Sequence, residues 1–540
     1  MSEIKNSRHA IRLPFFLAIA IATGILIGAN MVDSDTRGSL FGGVDKFREI
    51  ISYVERNYVD DVDTEDLVET AITSMLKKLD PHSVYIPVRD LELSKSQLEG
   101  KFDGIGIEFN IFKDTIYVVA PLSGGPSEKV GLLSGDKIIS VDGENAAGIG
   151  ITNRIVFDLL RGPKGTEVVV EIMRRGDDEL LTFNIIRDKI PQSSVDASYM
   201  IDEQVGYIKV SRFSATTYDE FKEALTGLNG KGMEKLVLDL TGNPGGYMDR
   251  AVDMADELIS GDKMIVYTEG REPRYNSEHR ADRDGGFEKG AVIVLIDQGS
   301  ASASEIVAGA IQDNDRGLIV GRRSFGKGLV QMPINLRDGS ELRLTISRYY
   351  TPSGRSIQKP YSEDLTHYEE DLYDRFNNGE TFYKDSMKVD ESMKFETLKG
   401  RVVYGGGGIV PDVFVSLDTL GNSKYLTRLF TSNTIGEFVL NYYNTNQASL
   451  EKMGFDQYHT KFEVTEAMIK DITALGESNE IKFNENQLNT SKDLLKLNVK
   501  AQIARRVWGG EGFYPIYNET NEILQEALKQ FDKAEQLAKN

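Results

Sequence analysis

The feature that most constrains this 540-residue chain is a run of small residues between an apolar strand and a helix. Ala291 to Ile296 is an uninterrupted apolar stretch, which is typical of a buried strand. The sequence GSASAS follows from Gly299, and from Ala303 onward apolar residues recur at helical spacing. We therefore expect Ser302, the central serine, at a strand end beside a helix N-terminus, where free N–H groups and positive potential suit a developing oxyanion.

A lysine between two glycines follows in the sequence SFGKG. Lys327 comes after a second short strand that we predict at Gly317 to Val320. An amine with the ordinary lysine pKa of about 10.4 is a poor base near neutral pH, but burial against apolar strands lowers that pKa. Ser302 and Lys327 are therefore a candidate nucleophile and general base of the serine–lysine type, which needs no histidine.

Three other interpretations compete with a catalytic one. Small residues such as SASAS also occur at tight packing contacts and helix caps. The sequence from Gly321 to Lys327 matches the start of a phosphate-binding loop, but Gly328 stands where a metal-binding serine or threonine is needed, and a strand-like segment follows. The G-x-S-x-G motif of a nucleophile elbow is absent, so a triad with a catalytic histidine is not supported.

Composition argues against several classes of function. The net charge of −21 and the lack of a basic stripe argue against nucleic acid as a partner. The chain has no cysteine, which removes disulfides and thiolate metal sites. Its five histidines are scattered without a ligand pattern. We therefore expect no metal site and no cofactor.

The N-terminal segment carries a targeting pattern. Basic residues at positions 5, 8 and 12 precede Leu13 to Val32, a run without any charged residue. This pattern predicts a signal peptide or a membrane anchor over residues 1–33, with its positive end in the cytoplasm. We favour an anchor in the inner membrane because no clear cleavage site follows. The rest of the chain is then expected in the periplasm or cell envelope.

The segments SASASEI, RGLIVG and SFGKGLVQ resemble the signature of the carboxy-terminal processing peptidases, also called tail-specific proteases. In that family the central serine is the nucleophile, the lysine of FGKG is the base, and a glutamine four residues later orients the lysine. The resemblance therefore implies these roles for Ser302, Lys327 and Gln331. It also implies oxyanion donors at Ala303 and, through the turn Asn243-Pro244-Gly245-Gly246, at Gly246.

Three further residues bear on this resemblance: two acidic residues within the signature and one position that differs from the family pattern. Glu305 and Asp313 lie within the signature, where they support the site or serve only as a helix cap and a salt bridge. The family usually has arginine where Thr241 stands, so this chain departs from the family pattern at that position.

The stretch from Phe102 to Gly143 resembles a PDZ domain. Its glycine-rich loop, Gly104-Ile105-Gly106-Ile107, offers successive N–H groups to a terminal carboxylate, while the rest of a bound peptide adds as a strand. We predict a flanking helix at Asn153 to Leu160. Arg161, directly after it, either couples occupancy of this groove to the active site or is an ordinary surface arginine. A plain small β-barrel is the other interpretation of this stretch.

The resemblance covers about residues 45–415. It implies an α/β fold, with a ClpP/crotonase-like protease core and an inserted β-rich PDZ domain. The helical spacing of apolar residues predicts helical regions at both ends. We divide the chain into an N-terminal segment (1–33), a helical region (34–95), the PDZ domain (96–190), the protease core (191–358), a polar and aromatic insert (359–400), a return strand of the core (401–417) and a helical C-terminal region (418–540).

Two of these regions carry open expectations. We expect the insert to be a lid, an interaction surface or a mobile excursion. In the C-terminal region, an apolar stripe from Ile523 to Leu537 predicts one docked amphipathic helix.

The function implied is that of a serine endopeptidase that recognises the C-terminus of protein substrates through its PDZ domain. The alternatives are a catalytically silent PDZ-containing binding protein on a protease scaffold and an acyl-CoA enzyme of the crotonase type. The partners expected are proteins or peptides with free C-termini, further copies of the chain in a homodimer or higher homo-oligomer, and an adaptor or regulatory protein.

Overall fold

The computed structural model describes residue 23 and residues 34–539, except residues 123, 175, 178 and 362–364. The predicted membrane segment, Leu13 to Val32, lies outside this range apart from residue 23. Of the helices in the described part, none combines the length and the apolar character needed to span a membrane. A first compact unit ends at Leu76 and a second begins at Lys77. The described elements of the first are α1 (Ser34–Asn57) and α2 (Thr64–Lys77).

The second unit opens with a β-rich domain that is entered and left through one two-stranded ribbon. After β1 (Val84–Ile86) and α3 (Val88–Glu99), strand β2 (Lys101–Gly104) pairs antiparallel with β9 (Asp188–Pro191). The domain between them consists of β3 (Ile107–Phe112), β4 (Thr115–Pro121), α4 (Pro126–Val130), β5 (Lys137–Val141), β6 (Glu144–Asn145), α5 (Asn153–Leu160), β7 (Glu167–Met173) and β8 (Leu181–Ile186). Strand β3 is an edge strand of this sheet, so one side of it is available to an added strand.

The central sheet has six strands, in the order β10-β11-β12-β15-β16-β21, and is parallel except at the β10–β11 pair. In chain order this layer contains β10 (Val195–Met200), β11 (Val205–Val210), α6 (Thr217–Gly230), β12 (Lys235–Asp239), α7 (Met248–Asp256), β15 (Ala291–Ile296), α8 (Ala303–Asp313), β16 (Leu318–Gly321) and β21 (Val413–Phe414). Every residue of β15 is buried, because helices cover both faces of a parallel sheet.

The second unit also contains an antiparallel sheet, and the strand that follows Lys327 belongs to it. Its strand order is β1-β18-β13-β14, and β17 also pairs with β18. The strands are β13 (Met264–Gly270), β14 (Ser277–Arg280), β17 (Leu329–Asn335) and β18 (Glu341–Tyr350). The predicted insert is partly regular: it contains α9 (Thr366–Asn377) and β19 (Lys394–Glu396), which pairs with β20 (Val402–Tyr404). Short 3-10 turns occur at Pro273–Tyr275, Lys384–Ser386 and Glu391–Met393.

The C-terminal region is helical and makes two separate contributions. Helices α10 (Lys424–Thr431), α11 (Thr434–Met453), α12 (Phe455–Lys461), α13 (Glu466–Ser478) and α14 (Glu485–Tyr517) enclose a hydrophobic core of their own. The stripe predicted as one docked helix is instead two, α15 (Glu522–Leu528) and α16 (Phe531–Lys539). Both pack on the face of the central sheet opposite α8. The α/β core, the inserted β-rich domain and the helical ends are thus confirmed.

Candidate active site

Ser302 is the N-cap residue of α8, at the point where the chain has left β15. Its backbone has φ 57° and ψ −114°, a conformation that residues with side chains rarely adopt and that concentrates at functional sites. The carbonyl of Ser302 accepts the first bonds of the helix, from the N–H groups of Glu305 and Ile306. The residue itself is half-buried. The first element of the candidate site is therefore a strained, partly accessible serine at a helix N-terminus.

Glu305 ties the serine and the lysine segments together. Its carboxylate is fully buried and accepts four hydrogen bonds, from the N–H groups of Ser302 (2.8 Å), Gly326 (2.8 Å) and Lys327 (2.9 Å) and from the hydroxyl of Ser324. Burial raises the pKa of Glu305 to about 7, although all four donors favour the ionised form. This one side chain therefore fixes the backbones of both candidate catalytic residues.

Lys327 lies in the loop between β16 and β17 and is half-buried. Burial lowers the pKa of its amine, and Arg343 acts in the same direction, while the carboxylates of Glu305 and Asp80 oppose the shift. Because a lowered pKa increases the neutral fraction at a given pH, the amine is better suited to accept a proton than an exposed lysine would be.

Tyr349 is a part of the site that the sequence did not indicate. The tyrosine is buried in β18, and its hydroxyl lies between two carbonyl oxygens, that of Ser302 at 3.0 Å and that of Lys327. The sequence from Glu341 to Tyr350 has a strand pattern, and a strand pattern does not say which side chain reaches another segment. Tyr349 thus links the serine and lysine backbones on the side of β18.

The glycine turn after β12 lies directly against the serine. A Cβ added to Gly245 would stand 2.8 Å from the Cβ of Ser302 and 2.9 Å from the nitrogen of Ala303, so no other residue fits there. Phe213 donates to the carbonyl of Gly245 and accepts from the N–H of Tyr247. The N–H of Gly246, between them, therefore points away from Phe213. Gly246 and Ala303, the predicted oxyanion donors, thus belong to adjoining segments.

The side chain of Gln331 makes its hydrogen bond to a residue other than Lys327. Its side-chain amide donates to the hydroxyl of Thr345 at 3.3 Å, and that hydroxyl donates to Asp80 at 3.1 Å. In the described part of the chain Gln331 makes no hydrogen bond to the amine of Lys327. The glutamine thus belongs to a chain of polar contacts beside the lysine.

Asp313 lies at the far end of α8 from Ser302. It forms an ion pair with Arg355 at 2.8 Å, with both side chains fully buried, and accepts a hydrogen bond from the hydroxyl of Ser353 at 2.7 Å. It is the last of the 11 residues of α8, which begins directly after the serine, so a rise of about 1.5 Å per residue places it roughly 16 Å along the helix from Ser302. The structure therefore brings Glu305, but not Asp313, to the serine and lysine.

The glycine loop of the β-rich domain, Gly104 to Ile107, lines a small cavity of about 50 Å³ together with residues of α5. Arg161 borders this cavity, with its guanidinium 4.6 Å from the ring centre of Phe102 and 4.4 Å from that of Phe157. It also donates to the hydroxyl of Ser96 on α3 at 3.0 Å. Arg161 therefore connects the predicted groove to a helix outside the β-rich domain.

Comparison with known families matches each main part of the chain. Residues 204–366 match the model of peptidase family S41, and residues 104–186 match that of a PDZ domain. Residues 28–89 match the N-terminal domain of the activating protease CtpB, and residues 425–509 match a family of unknown function.

Curated relatives point the same way. The carboxy-terminal-processing protease of Bartonella bacilliformis is 36% identical over 351 residues, which covers 64% of this chain and 79% of that protein. The carboxy-terminal processing protease CtpB of Bacillus subtilis is 36% identical over 355 residues, covering 64% and 72%. Among solved structures, the photosystem II D1 C-terminal processing protease is 26% identical and covers 69% of this chain and 93% of that one, with a TM-score of 0.36.

The chain therefore belongs to peptidase family S41. It is a serine-type peptidase with a PDZ domain and acts on protein or peptide substrates.

Proposed function

We propose that this peptidase hydrolyses peptide bonds with a Ser302/Lys327 dyad. The hydroxyl oxygen of Ser302 attacks the scissile carbonyl while the neutral amine of Lys327 takes its proton. The N–H groups of Gly246 and Ala303 donate to the resulting oxyanion. When the intermediate collapses, the lysine returns the proton to the leaving amine. Water then hydrolyses the acyl-enzyme with the lysine again acting as base.

The observation that carries this proposal is the bonding of Glu305. One buried carboxylate accepts the N–H groups of Ser302 and Lys327, two residues that are distant in sequence. A carboxylate that served only to cap the helix at Ser302 would not also have to bind the lysine segment. The lowered pKa of Lys327 supports its role as a base.

We propose further that the PDZ domain selects substrates by their free C-termini. The edge position of β3 and the apolar cavity at Gly104 to Ile107 support this step. A terminal carboxylate would bind the N–H groups of this loop, the last side chain would enter the cavity, and the remaining peptide would pair with β3. Small apolar C-terminal residues suit a cavity of this size.

Amidation of the substrate's C-terminus is expected to slow cleavage. The test uses an unfolded protein substrate ending in alanine, prepared with a free carboxylate or as the amide. Because the amide cannot supply the negative charge that the loop binds, we expect kcat/KM to fall about 10- to 100-fold, equivalent to about 1.4–2.8 kcal/mol.

Two controls sharpen the amidation experiment. Ser302→Ala must abolish cleavage of both substrates, which excludes a contaminating protease. A short peptide that cannot reach the PDZ groove should be cleaved equally well with either end group. Equal rates for the free and amidated protein substrates would refute selection by the carboxylate and leave the dyad untouched.

Further parts of the proposal concern the cellular setting. We propose that the N-terminal segment directs the enzyme to the cell envelope, either as a cleaved signal or as an inner-membrane anchor. The uncharged run from Leu13 to Val32 supports this. Assembly into a homodimer or higher homo-oligomer, and control by an adaptor or regulatory protein, are likewise proposals. Fractionation of cells and the mass of the purified enzyme in solution would test them.

A further inference from the structure

The insert packs against the loop that carries the candidate base. Arg375, on α9, has only 7% of its side chain exposed and donates to the carbonyl oxygens of Ser324 at 2.7 Å and of Phe325 at 3.3 Å. At the start of the insert, the backbone N–H of Lys359 donates to the carbonyl of Gly326 at 2.9 Å. Three consecutive carbonyl groups leading to Lys327 are therefore bound by the insert.

The N–H groups of the same loop are bound from the other side. The N–H of Phe325 donates to the carbonyl of Ser300 at 2.9 Å, and those of Gly326 and Lys327 donate to Glu305. Because buried backbone groups need partners, the loop has its present form only while both sets of contacts exist. The N-terminal part of α8 and the loop before it provide one set, and the insert provides the other.

Charged contacts hold the insert in place. Arg323, which precedes the loop, makes two hydrogen bonds of 2.6 Å to the carboxylate of Glu380. Asp371 pairs with both Arg375 and Lys359 at 3.0 Å. Buried ion pairs contribute little net stability but demand a definite geometry. These contacts favour an insert that is attached to the lysine loop over a mobile excursion.

Aromatic contacts extend this attachment to the segment before β1. The amine of Lys359 lies 4.1 Å from the ring centres of both Phe325 and Tyr368. The hydroxyl of Tyr368 makes a hydrogen bond of 2.6 Å with the imidazole of His82. The insert therefore contacts the lysine loop and one of the segments whose charges act on Lys327.

We propose that the described part of the insert is a clamp on the general base, in which Arg375 is the main positioning residue. The clamp consists of Lys359, Asp371, Arg375 and Glu380. It keeps the loop from Ser324 to Lys327 in one conformation and limits the access of water to the amine. This inference rests on the proposed function, since it assigns the clamp a role only if Lys327 is the base.

The test compares Arg375→Met and Arg375→Lys with Tyr373→Ala. Tyr373 is on the same helix but is 67% exposed, so its variant controls for general disturbance of α9. For Arg375→Met we expect kcat to fall about 100-fold with little change in KM, the scale of a misplacement by about 1 Å. Arg375→Lys keeps the positive charge but lacks the guanidinium group that donates to two carbonyl oxygens, so its kcat should fall less than that of Arg375→Met. Tyr373→Ala should match the wild type.

A pH profile separates positioning from simple destabilisation. The groups that act on Lys327 are Glu305, Asp80 and Arg343, with His82 close by and neutral because burial lowers its pKa to about 4. All of them remain in the Arg375 variants. Entry of water into a loosened loop raises the pKa of Lys327 toward its ordinary value. The acidic limb of kcat/KM should therefore move to higher pH in both Arg375 variants.

Glu380→Gln provides a milder variant in case Arg375→Met does not fold. It weakens the contact with Arg323 and removes a charge that acts on Arg375, but leaves the donors of Arg375 in place. A three- to tenfold fall in kcat and a smaller shift of the same limb are therefore expected. Unchanged kcat and pH limb in the folded Arg375 and Glu380 variants would overturn the clamp while leaving the dyad intact. Full activity of Lys327→Ala would overturn the dyad and the clamp together.

Discussion

Lys327→Arg is expected to abolish peptide hydrolysis at every pH at which the protein is folded. Arginine keeps a positive charge and a long side chain, but its pKa above 12 prevents it from becoming a neutral base. Loss of the base from a serine nucleophile typically reduces kcat by about 10⁴-fold or more. The measurement is single-turnover cleavage of an unfolded protein substrate from about pH 6 to about pH 10, a range chosen to bracket a lowered lysine pKa.

The wild-type profile should show the neutral amine as the active form. Burial lowers the pKa of Lys327, so the neutral fraction grows as pH rises through this lowered value. The acidic limb of kcat/KM should therefore have a midpoint below about 10.4. A limb that shows no levelling by about pH 10 would contradict the assignment, as would residual activity in Lys327→Arg well above that of Ser302→Ala.

Lys327→Met is the matched control for folding. The folded state disfavours the charged form of Lys327 because burial lowers its pKa. The native protein therefore carries a cost that is full below this lowered pKa, shrinks as pH rises toward the ordinary lysine value and is absent above that value. Methionine removes the cost and has a similar length. We therefore expect an inactive variant whose thermal midpoint at pH 7 is equal to or higher than that of the wild type. An inactive variant with a lowered midpoint would leave unfolding as the explanation.

Most of the fold could be predicted because its strands are buried on both faces. Ala291 to Ile296 forms the strand predicted, since an apolar run of this kind admits few alternatives. Asn153 to Leu160 forms the helix that the resemblance to a PDZ domain implied. The stripe from Ile523 to Leu537 was wrongly predicted as one helix. Its apolar residues continue across the break between α15 and α16 because both helices bury the same side against the central sheet.

The insert could not be predicted for the opposite reason. Its contacts depend on buried charges such as Arg375 and Glu380, and charged residues in a sequence normally indicate exposed positions. Nothing in the spacing of these residues shows that they meet Arg323 and the carbonyl of Ser324. The contact of Tyr349 with the serine and lysine carbonyls was missed likewise, because such contacts depend on tertiary structure. The catalytic roles of Ser302 and Lys327 stay predictions that the variants above test.

Glu305→Ala is expected to lower both the stability of the protein and the rate of the reaction. Three buried N–H groups and the hydroxyl of Ser324 lose their acceptor, at about 1–3 kcal/mol each, whereas the variant gains by no longer burying a carboxylate. The pKa of Glu305, raised to about 7 by burial, shows that this gain is substantial. We expect a net loss of about 3 kcal/mol in the free energy of unfolding, measured by urea denaturation at pH 8.

Glu305→Gln separates the bonding role of this residue from its charge. The amide keeps the volume and one acceptor oxygen, but its NH₂ group must face donors, so stability should fall between those of the wild type and Glu305→Ala. The charge of Glu305 raises the pKa of Lys327. Its removal should therefore move the acidic limb of kcat/KM to lower pH, opposite to the shift expected on loosening the clamp. A limb that moves up, or a Glu305→Ala variant as stable as the wild type, would show that Glu305 does not connect the serine to the lysine.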